Sequence, residues 1–467
     1  MLAPLDLLDQ LKARLDESLG SVPRDCGGKL LSLILDLPVA PTLPPELTGP
    51  RFGLVHARRG ELRAGYGVAA EWQAAGPERL AELRVRAHRL AAGWRQWDPD
   101  ETGFSGFSLL GFAADPGPAP GTAQGPGPDA GLPNAILWVP ELALVSRGGQ
   151  AAVILTAPMP AERRALSARW HGWLARLVPA LTATLPEPLT PAQLQPLGSA
   201  PGLRDWRTLV ESTLDEIRIG RLAKAVLCRR IRLRGRRAFD LPRLQATLTW
   251  LFPACQVVRI ARAETSFVAA TPERLLRVQA GGVEVDAIAG TAPRSSSAEQ
   301  DASLTAQLLE SEKERREHAL VVEAVRAALA PCCRDIRVPR IPQVMQLHNA
   351  QHLWSPISAR LDTDTDLLDL AERLHPTPAT NGEPRRAARD WLRLAEPVAR
   401  GWFTGAAGVL EPDLSGELWV LLRCAEVTGQ EAQLYAGAGI VAGSDPLAEW
   451  RETSHKLSAM ATALRFA

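Results

Sequence analysis

Apolar residues recur at 304, 308, 309, 320, 322, 325 and 329 through LTAQLLESEKERREHALVVEAVRAALAP, and Pro331 closes the run. The spacing predicts one helix, with Glu314 and Glu317 on one side of it. In GSDPLAEWRETSHKLSAM, Asp445 suits a helix cap and Pro446 a first helical position, which puts Glu449 and Glu452 in the early turns. Upstream, the pattern reads as a helix over RDWRTLVESTLDEIRIG, a strand over KAVLCRRIRLR, a helix near DLPRLQATLTWLF, and strands around CQVVRIAR and TSFVAA. In the first half, strand-like NAILWVPELALVS and AAVILTA alternate with helical PERLAELRVRAHRLAAGW. A Pro/Gly-rich stretch near 116–134 reads as an exposed loop, and a Pro-rich passage over 185–202 as a connector between halves. Helices and strands mix without strict βαβ alternation, which predicts an α+β fold with large, mainly antiparallel sheets.

A chain of 467 residues with 46% hydrophobic content can bury a large core, and length alone suggests two or three domains. The formal charge of +1 supplies no global field toward nucleic acid or a membrane, so small-molecule chemistry is the better expectation. The arginine-rich RRIRLRGRR (229–237) does not change this. Ile231 and Leu233 alternate with Arg230, Arg232 and Arg234, the pattern of a half-buried strand with one wet face. The N-terminus lacks a basic segment followed by a sustained apolar core, and no window approaches the ~20 apolar residues of a membrane span, so a cytoplasmic protein is expected. Cys26, Cys228, Cys255, Cys332, Cys333 and Cys424 form no CxxC, which points to neither a disulfide framework nor a thiolate zinc site.

Two like-charged pairs one turn apart have an ordinary explanation in solvated helix faces, since Lys313, Arg315 and Arg316 stand near enough to pair. Two such pairs could also converge on a cation. Four carboxylates without a His/Cys set suit a hard ion, and Mg²⁺ takes one or two carboxylates, keeps water and leaves room for an oxyanion substrate. HNAQH offers His348 and His352 at a spacing that could bind zinc on a helix, but no third ligand is evident, and a structural or hydrogen-bonding role is favoured. Lysine is scarce beside arginine, so Lys224 is a candidate base or a chance retention. The Gly-rich YAGAGIVAGSDP opens into the last helix and is either an anion cradle of backbone N–H groups or a tight turn. Arg423 is either a carboxylate clamp or half of a salt bridge. Glu273 after Pro272 reads from its residues alone as a helix-start acid.

KAVLCRR, ATPERLL, AIAGTAPR, EKERREH, QHLWSPISARL, LHPTPATNG and YAGAGIVAGSDPLAEWRET, in that order over residues 204–464, resemble the chorismate-utilising enzyme family. The resemblance implies one large α+β domain, two big sheets packed together with helices outside, in place of the division that length suggests. Residues 1–200 would form the variable first half and 201–467 the chorismate-binding portion. It further implies Mg²⁺ held directly by Glu317 and Glu452, with Glu314 and Glu449 acting chiefly through water. Lys224 matches the base that activates a nucleophile for ring carbon C2, and Glu273 the acid that protonates the departing C4 hydroxyl. Those roles require Lys224 to be available neutral and Glu273 to hold its proton near pH 7, both through burial. Gly290, Thr291 and His352 match substrate contacts; Arg423, Gly437 and Gly439 match a clamp for the enolpyruvyl carboxylate; Lys456 is expected near the ring carboxylate.

Members that add ammonia generally lack the Lys224 base and use a glutaminase subunit; with Lys224 present, water is the expected nucleophile and a monomer without a glutaminase is expected. Ala289 in AIAGT stands where aminodeoxychorismate synthases commonly carry a lysine. Ala379 stands where pyruvate-eliminating salicylate synthases tend to have Thr, and Phe403 where several relatives have Tyr. The expected activity is conversion of chorismate to isochorismate, with salicylate formation, or Mg²⁺-stabilised binding without catalysis, as alternatives. Menaquinone synthesis is the favoured pathway over siderophore synthesis.

Overall fold

The computed structural model describes residues 4–22, 29–117, 131–181, 191–347, 350–362 and 364–467. Cys26, His348 and most of the Pro/Gly-rich stretch lie outside the described residues.

Several strands are apolar on both faces, and period-two alternation sorts their side chains into different layers. In the Thr265–Thr271 strand, Phe267 and Ala269 enter the layer between two sheets, while Val268 and Ala270 meet helices on the outside. In Leu30–Asp36, Ile34 goes inward and Leu31, Leu33 and Leu35 go outward. Strands that must satisfy two apolar faces sit inside a layered stack, so the chain forms two packed sheets with helices outside, as the α+β expectation requires. The Pro4–Ser21 and Arg163–Leu181 helices cover one part of the larger sheet, and Leu241–Leu251 and Pro446–Leu464 another. Arg79–Gly93, Glu312–Leu329 and Leu367–Leu374 cover the smaller sheet. No helix among the described residues is long and apolar enough to cross a membrane.

Among the described residues the larger sheet has thirteen strands and the smaller ten. Leu30–Asp36 pairs in parallel with Trp94–Trp97, and every other ladder among the described residues is antiparallel. Both halves of the chain contribute to both sheets. Arg51–His56 pairs with Gln256–Arg262 in the larger (Val55 opposite Val257), and Ser108–Phe112 pairs with Ala406–Leu410 in the smaller. Between the sheets Trp138 is fully buried, packs edge-on against Phe52 with centroids 5.0 Å apart, and donates its indole N–H to Gly67 O at 2.9 Å. Trp138→Ala is expected to cost about 3–5 kcal/mol, read as a lower denaturant midpoint with an unchanged slope.

Two sequence expectations change here. The helix expected through residues 304–329 is two helices, Ala298–Glu310 and Glu312–Leu329, broken at Ser311. Ser311 is extended (φ −62°, ψ 115°) and its hydroxyl accepts from the Glu314 N–H at 3.3 Å, a cap that starts a new helix. The break brings Glu314 and Glu317 into the first turns of a helix, where the dipole favours negative charge. The Pro-rich connector is in part sheet: Gln195–Ala200 pairs as an edge strand with Lys224–Arg234.

Candidate active site

The chain passes between the two sheets at several points, and two of these crossings build the site. It crosses from Thr265–Thr271 in the larger sheet to Arg274–Gln279 in the smaller, and back from Gly416–Val420 to Cys424–Thr428. The two crossings run side by side: Val420 N–H donates to Glu273 O at 2.9 Å, and Ala270 N–H to Arg423 O at 3.2 Å. Glu273 sits in the first crossing, so it does not start a helix; Pro272 cannot supply a ladder N–H, and the chain leaves the sheet there. Arg423 sits in the second, with φ 49°. Both side chains face an open cavity of about 1000 Å³.

The same cavity is lined by Glu314, Glu317, Glu449 and Glu452, which two distant helices bring together. Asp445 caps the second helix through the Ala448 N–H at 2.8 Å, with Pro446 in its first turn, as the sequence predicts. Lysines stand among these acids. Lys224 Nζ lies 2.7 Å from Glu317 Oε1, Lys456 Nζ 2.7 Å from Glu452 Oε1, and Lys313 Nζ 3.6 Å from Glu449 Oε1. Among the described residues no three His, Cys, Asp or Glu side chains are gathered closely enough to share an ion. Burial and then the neighbouring Glu452 push Glu449 up. Burial works against the charge of Glu452 too, but Lys456, Lys313 and a hydrogen bond with Glu449 together hold that carboxyl below its ordinary range. Burial and then Glu317 push Glu314 up, although it accepts the Thr291 N–H at 3.0 Å.

Lys224 is 1% exposed and does not reach the cavity wall; it lies behind Glu317 and Gly439. Of the two readings of YAGAGIVAGSDP, Gly437 and Gly439 fall within the Glu431–Ile440 strand and are extended sheet, and a tight turn follows at 441–444, where Ser444 N–H donates to Val441 O. The purpose of Gly437 and Gly439 is space. A Cβ on Gly439 would stand 2.9 Å from Lys224 Cε and 3.1 Å from Glu317 Oε1. Gly439→Ala is expected to lower turnover at least tenfold and stability by about 1–3 kcal/mol, measured by steady-state kinetics and denaturant titration.

Gly290 occupies a bulge in the Gly282–Pro293 strand with φ +78°, and a Cβ there would press on Glu314 at 3.2 Å. The bulge turns the Thr291 N–H toward Glu314. His352 is on the neighbouring Ala350–Leu361 strand, not the helix that a zinc pair would need. Its Nδ1 is 3.3 Å from Gly290 O and 3.1 Å from Thr291 Oγ1, and its Nε2 is 3.4 Å from Arg423 Nη2. Nδ1–H therefore donates to the carbonyl, and Nε2 accepts from Arg423. Burial, then Arg423 and Lys456, pull His352 down to about 3, so the imidazole is neutral. Lys456 also donates to Gly437 O at 3.0 Å. Ala379 and Phe403 line the cavity, the latter stacked on Tyr435 with centroids 5.6 Å apart.

Glu273 is 4% exposed, and burial followed by the Asp286 charge pushes its carboxyl up to about 8, against the opposing pull of Lys224 and a hydrogen bond to Thr377. Thr377 and Asp286 act on Glu273 from buried positions with no motif of their own, and pattern reading missed them. Lys313, expected to pair with the acids, does so with Glu449 and Glu314 at the cavity.

A family model described as "Chorismate binding enzyme" matches residues 44–465. The chain belongs to this family. A Pseudomonas aeruginosa protein named salicylate biosynthesis isochorismate synthase is 39% identical over 285 residues, 59% of each chain. The isochorismate synthase MenF of Bacillus subtilis is 34% identical over 264 residues, 56% of this chain and 55% of the relative. These alignments span little more than half of either relative. The solved structure of the menaquinone-specific isochorismate synthase MenF from Escherichia coli superposes with a TM-score of 0.79 at 27% identity, covering 99% of this chain and 100% of that one. The likeness to that structure thus extends over the whole chain.

Proposed function

We propose that this chain is an isochorismate synthase. The observation that carries the proposal is a buried carboxyl on the cavity wall, Glu273, pushed up to about 8, with a buried amine, Lys224, standing directly behind that wall at Glu317 and Gly439. Water loses a proton to Lys224 as its oxygen bonds to C2 of chorismate, the ring double bonds shift, and the C4–O bond breaks as Glu273 hands its proton to the leaving hydroxyl. One water enters and one leaves, so the net change is an isomerisation. The contact with Glu317 at 2.7 Å fixes the position of the Lys224 amine. Arg423, with neutral His352 fixing its guanidinium, is suited to a substrate carboxylate. The relatives named as isochorismate synthases support this assignment.

Glu314, Glu317, Glu449 and Glu452 present only oxygen donors, which fits Mg²⁺, and they would hold it once Glu317 and Glu452 leave their lysine partners. Bound there, the ion would neutralise the acids and the substrate's ring carboxylate. With water as nucleophile no glutaminase subunit is required, and Ala379 favours release of isochorismate over pyruvate elimination. Incubating the purified protein with chorismate and Mg²⁺ and resolving products by chromatography with mass detection tests the proposal: isochorismate is expected, salicylate with pyruvate would move the assignment to a salicylate synthase, and unchanged chorismate would overturn catalysis.

A further inference from the structure

Lys224 opens a strand whose two edges are unlike. Toward Glu431–Ile440 the ladder is continuous from Ala225 to Arg234. On the other edge Lys224 and Ala225 pair with Gly382–Glu383, and Arg230 to Arg234 pair with Gln195–Ala200, but among the described residues no strand covers 226–229. Backbone groups that face this gap need other partners. Val226 N–H donates to Asn381 O at 2.8 Å. Cys228 N–H donates to Glu396 Oε1 at 2.8 Å, and the Val226 carbonyl accepts from Arg400 Nη2.

Glu396 follows the Arg385–Ala395 helix, which packs on the same strand through Ala388 and Leu392 against Ala225 and Leu227. Arg400 Nε donates to Glu396 Oε2 at 2.8 Å, and Nη2 to the other carboxylate oxygen. The Arg400 and Glu396 side chains are 11% and 6% exposed. Arg400 Nη1 reaches further, to Thr380 O at 2.7 Å and Thr404 Oγ1 at 3.4 Å. Val226, Thr380 and Thr404 line the cavity, whereas Glu396 and Arg400 stand behind it. A single guanidinium therefore ties together the Lys224 strand, the turn after the Leu367–Leu374 helix and the turn that carries Phe403. An apolar filler would spare the desolvation cost of a buried ion pair but would orphan the Val226 carbonyl and the Cys228 N–H. The planar fork of arginine meets a carboxylate and several carbonyls from one fixed plane, which a lysine ammonium cannot do.

We infer that Glu396 and Arg400 are positioning residues: the pair stands in for the missing strand and sets where Lys224 enters the site. The inference rests on Lys224 being the base of the proposed reaction. Val226 is only about 7 Å along the strand from Lys224. The Lys224 side chain is closely held, since a Cβ on Gly439 would stand 2.9 Å from its Cε. A shift of the strand moves the amine relative to the reacting carbon, and misplacement by about 1 Å costs on the order of 10²-fold in rate.

Arg400→Lys keeps the charge and loses the fork; Arg400→Ala leaves a space that a guanidinium ion fits. In Arg400→Lys, kcat is expected to fall about tenfold or more while KM changes less than about threefold, because Arg423 and His352 belong to other elements. Millimolar guanidinium chloride, far below denaturing concentrations, should raise kcat of folded Arg400→Ala about fivefold or more and leave Trp138→Ala, whose side chain does not line the cavity, unchanged. Hydrogen–deuterium exchange read by mass spectrometry should show the Val226 and Cys228 amides exchanging about tenfold faster in both Arg400 variants, with the Gln256–Arg262 amides at the parent rate. Parent-like exchange at Val226 and Cys228 would overturn the clamp. Faster exchange with kcat intact, or a loss of kcat that guanidinium does not reverse, would overturn the positioning role. Should Arg400→Ala fail to fold, kcat and KM of Arg400→Lys decide alone. If the parent protein makes no isochorismate, the proposed function fails; the exchange rates still decide whether the pair replaces the strand.

Discussion

Glu273→Gln is expected to lower kcat by about 10²–10⁴-fold and, at the same time, to make the protein more stable at pH 8.5. Both outcomes come from one cause. A carboxyl buried at 4% exposure beside Asp286 is pushed from an ordinary 4.5 up to about 8. Between those values the unfolded chain has released this proton and the folded chain has not, so folding stability declines as pH rises through the window, by ~1.4 kcal/mol per pH unit for this group taken alone. Below about pH 4.5 both states are protonated and nothing is lost. Glutamine matches the neutral acid in shape and cannot ionise, so it removes the decline along with the proton donor. Denaturant midpoints should coincide for the two proteins near pH 4.5 and diverge in favour of the variant at pH 8.5, while product formation shows the loss of turnover. A variant that is inactive and less stable at pH 8.5 would count against a neutral Glu273.

Lys224→Ala is expected to reduce kcat by a similar factor with the opposite effect on stability. The ammonium is 1% exposed and pairs with Glu317 at 2.7 Å, so its removal strands a carboxylate and leaves the space of a long side chain empty. Breaking a buried pair costs about 3 kcal/mol here, the lower end of the usual range because Glu317 can draw water from the cavity. Lys224→Arg separates the two roles. It restores a cation opposite Glu317 but cannot give up a proton near neutrality, so stability should partly recover while turnover does not. Substantial turnover in the arginine variant would exclude a proton-accepting role at this position.

Much of this site is legible in the chain because local rules apply to it. Asp445 followed by Pro446 predicts where the last helix begins, and the structure starts it at Pro446. KAVLCRRIRLR alternates as a strand, and the strand runs from Lys224 to Arg234. The break at Ser311 escapes because apolar spacing continues on both sides of it, although Ser311 with Glu314 three residues later is itself a helix-start signal. Gly437 and Gly439 suggest a loop because glycine marks turns; here each makes room for a neighbour across the sheet, a property of the partner strand that no local pattern carries. The position of Lys224 behind the cavity wall and the hydrogen bond from Val420 N–H to Glu273 O are tertiary facts of the same kind. Motif order identifies which residues matter, and only the folded chain says which of them touch.

Every residue proposed for the reaction lies after position 200, which invites cutting the chain there. The ladder between Val55 and Val257 argues against it. A piece starting at residue 201 would lay bare the hydrogen-bonding edge of Gln256–Arg262 and the apolar side of Phe267, Val258 and Ile260, a surface primed for self-association. The strands of the first half are thus what keeps that edge and that apolar side covered.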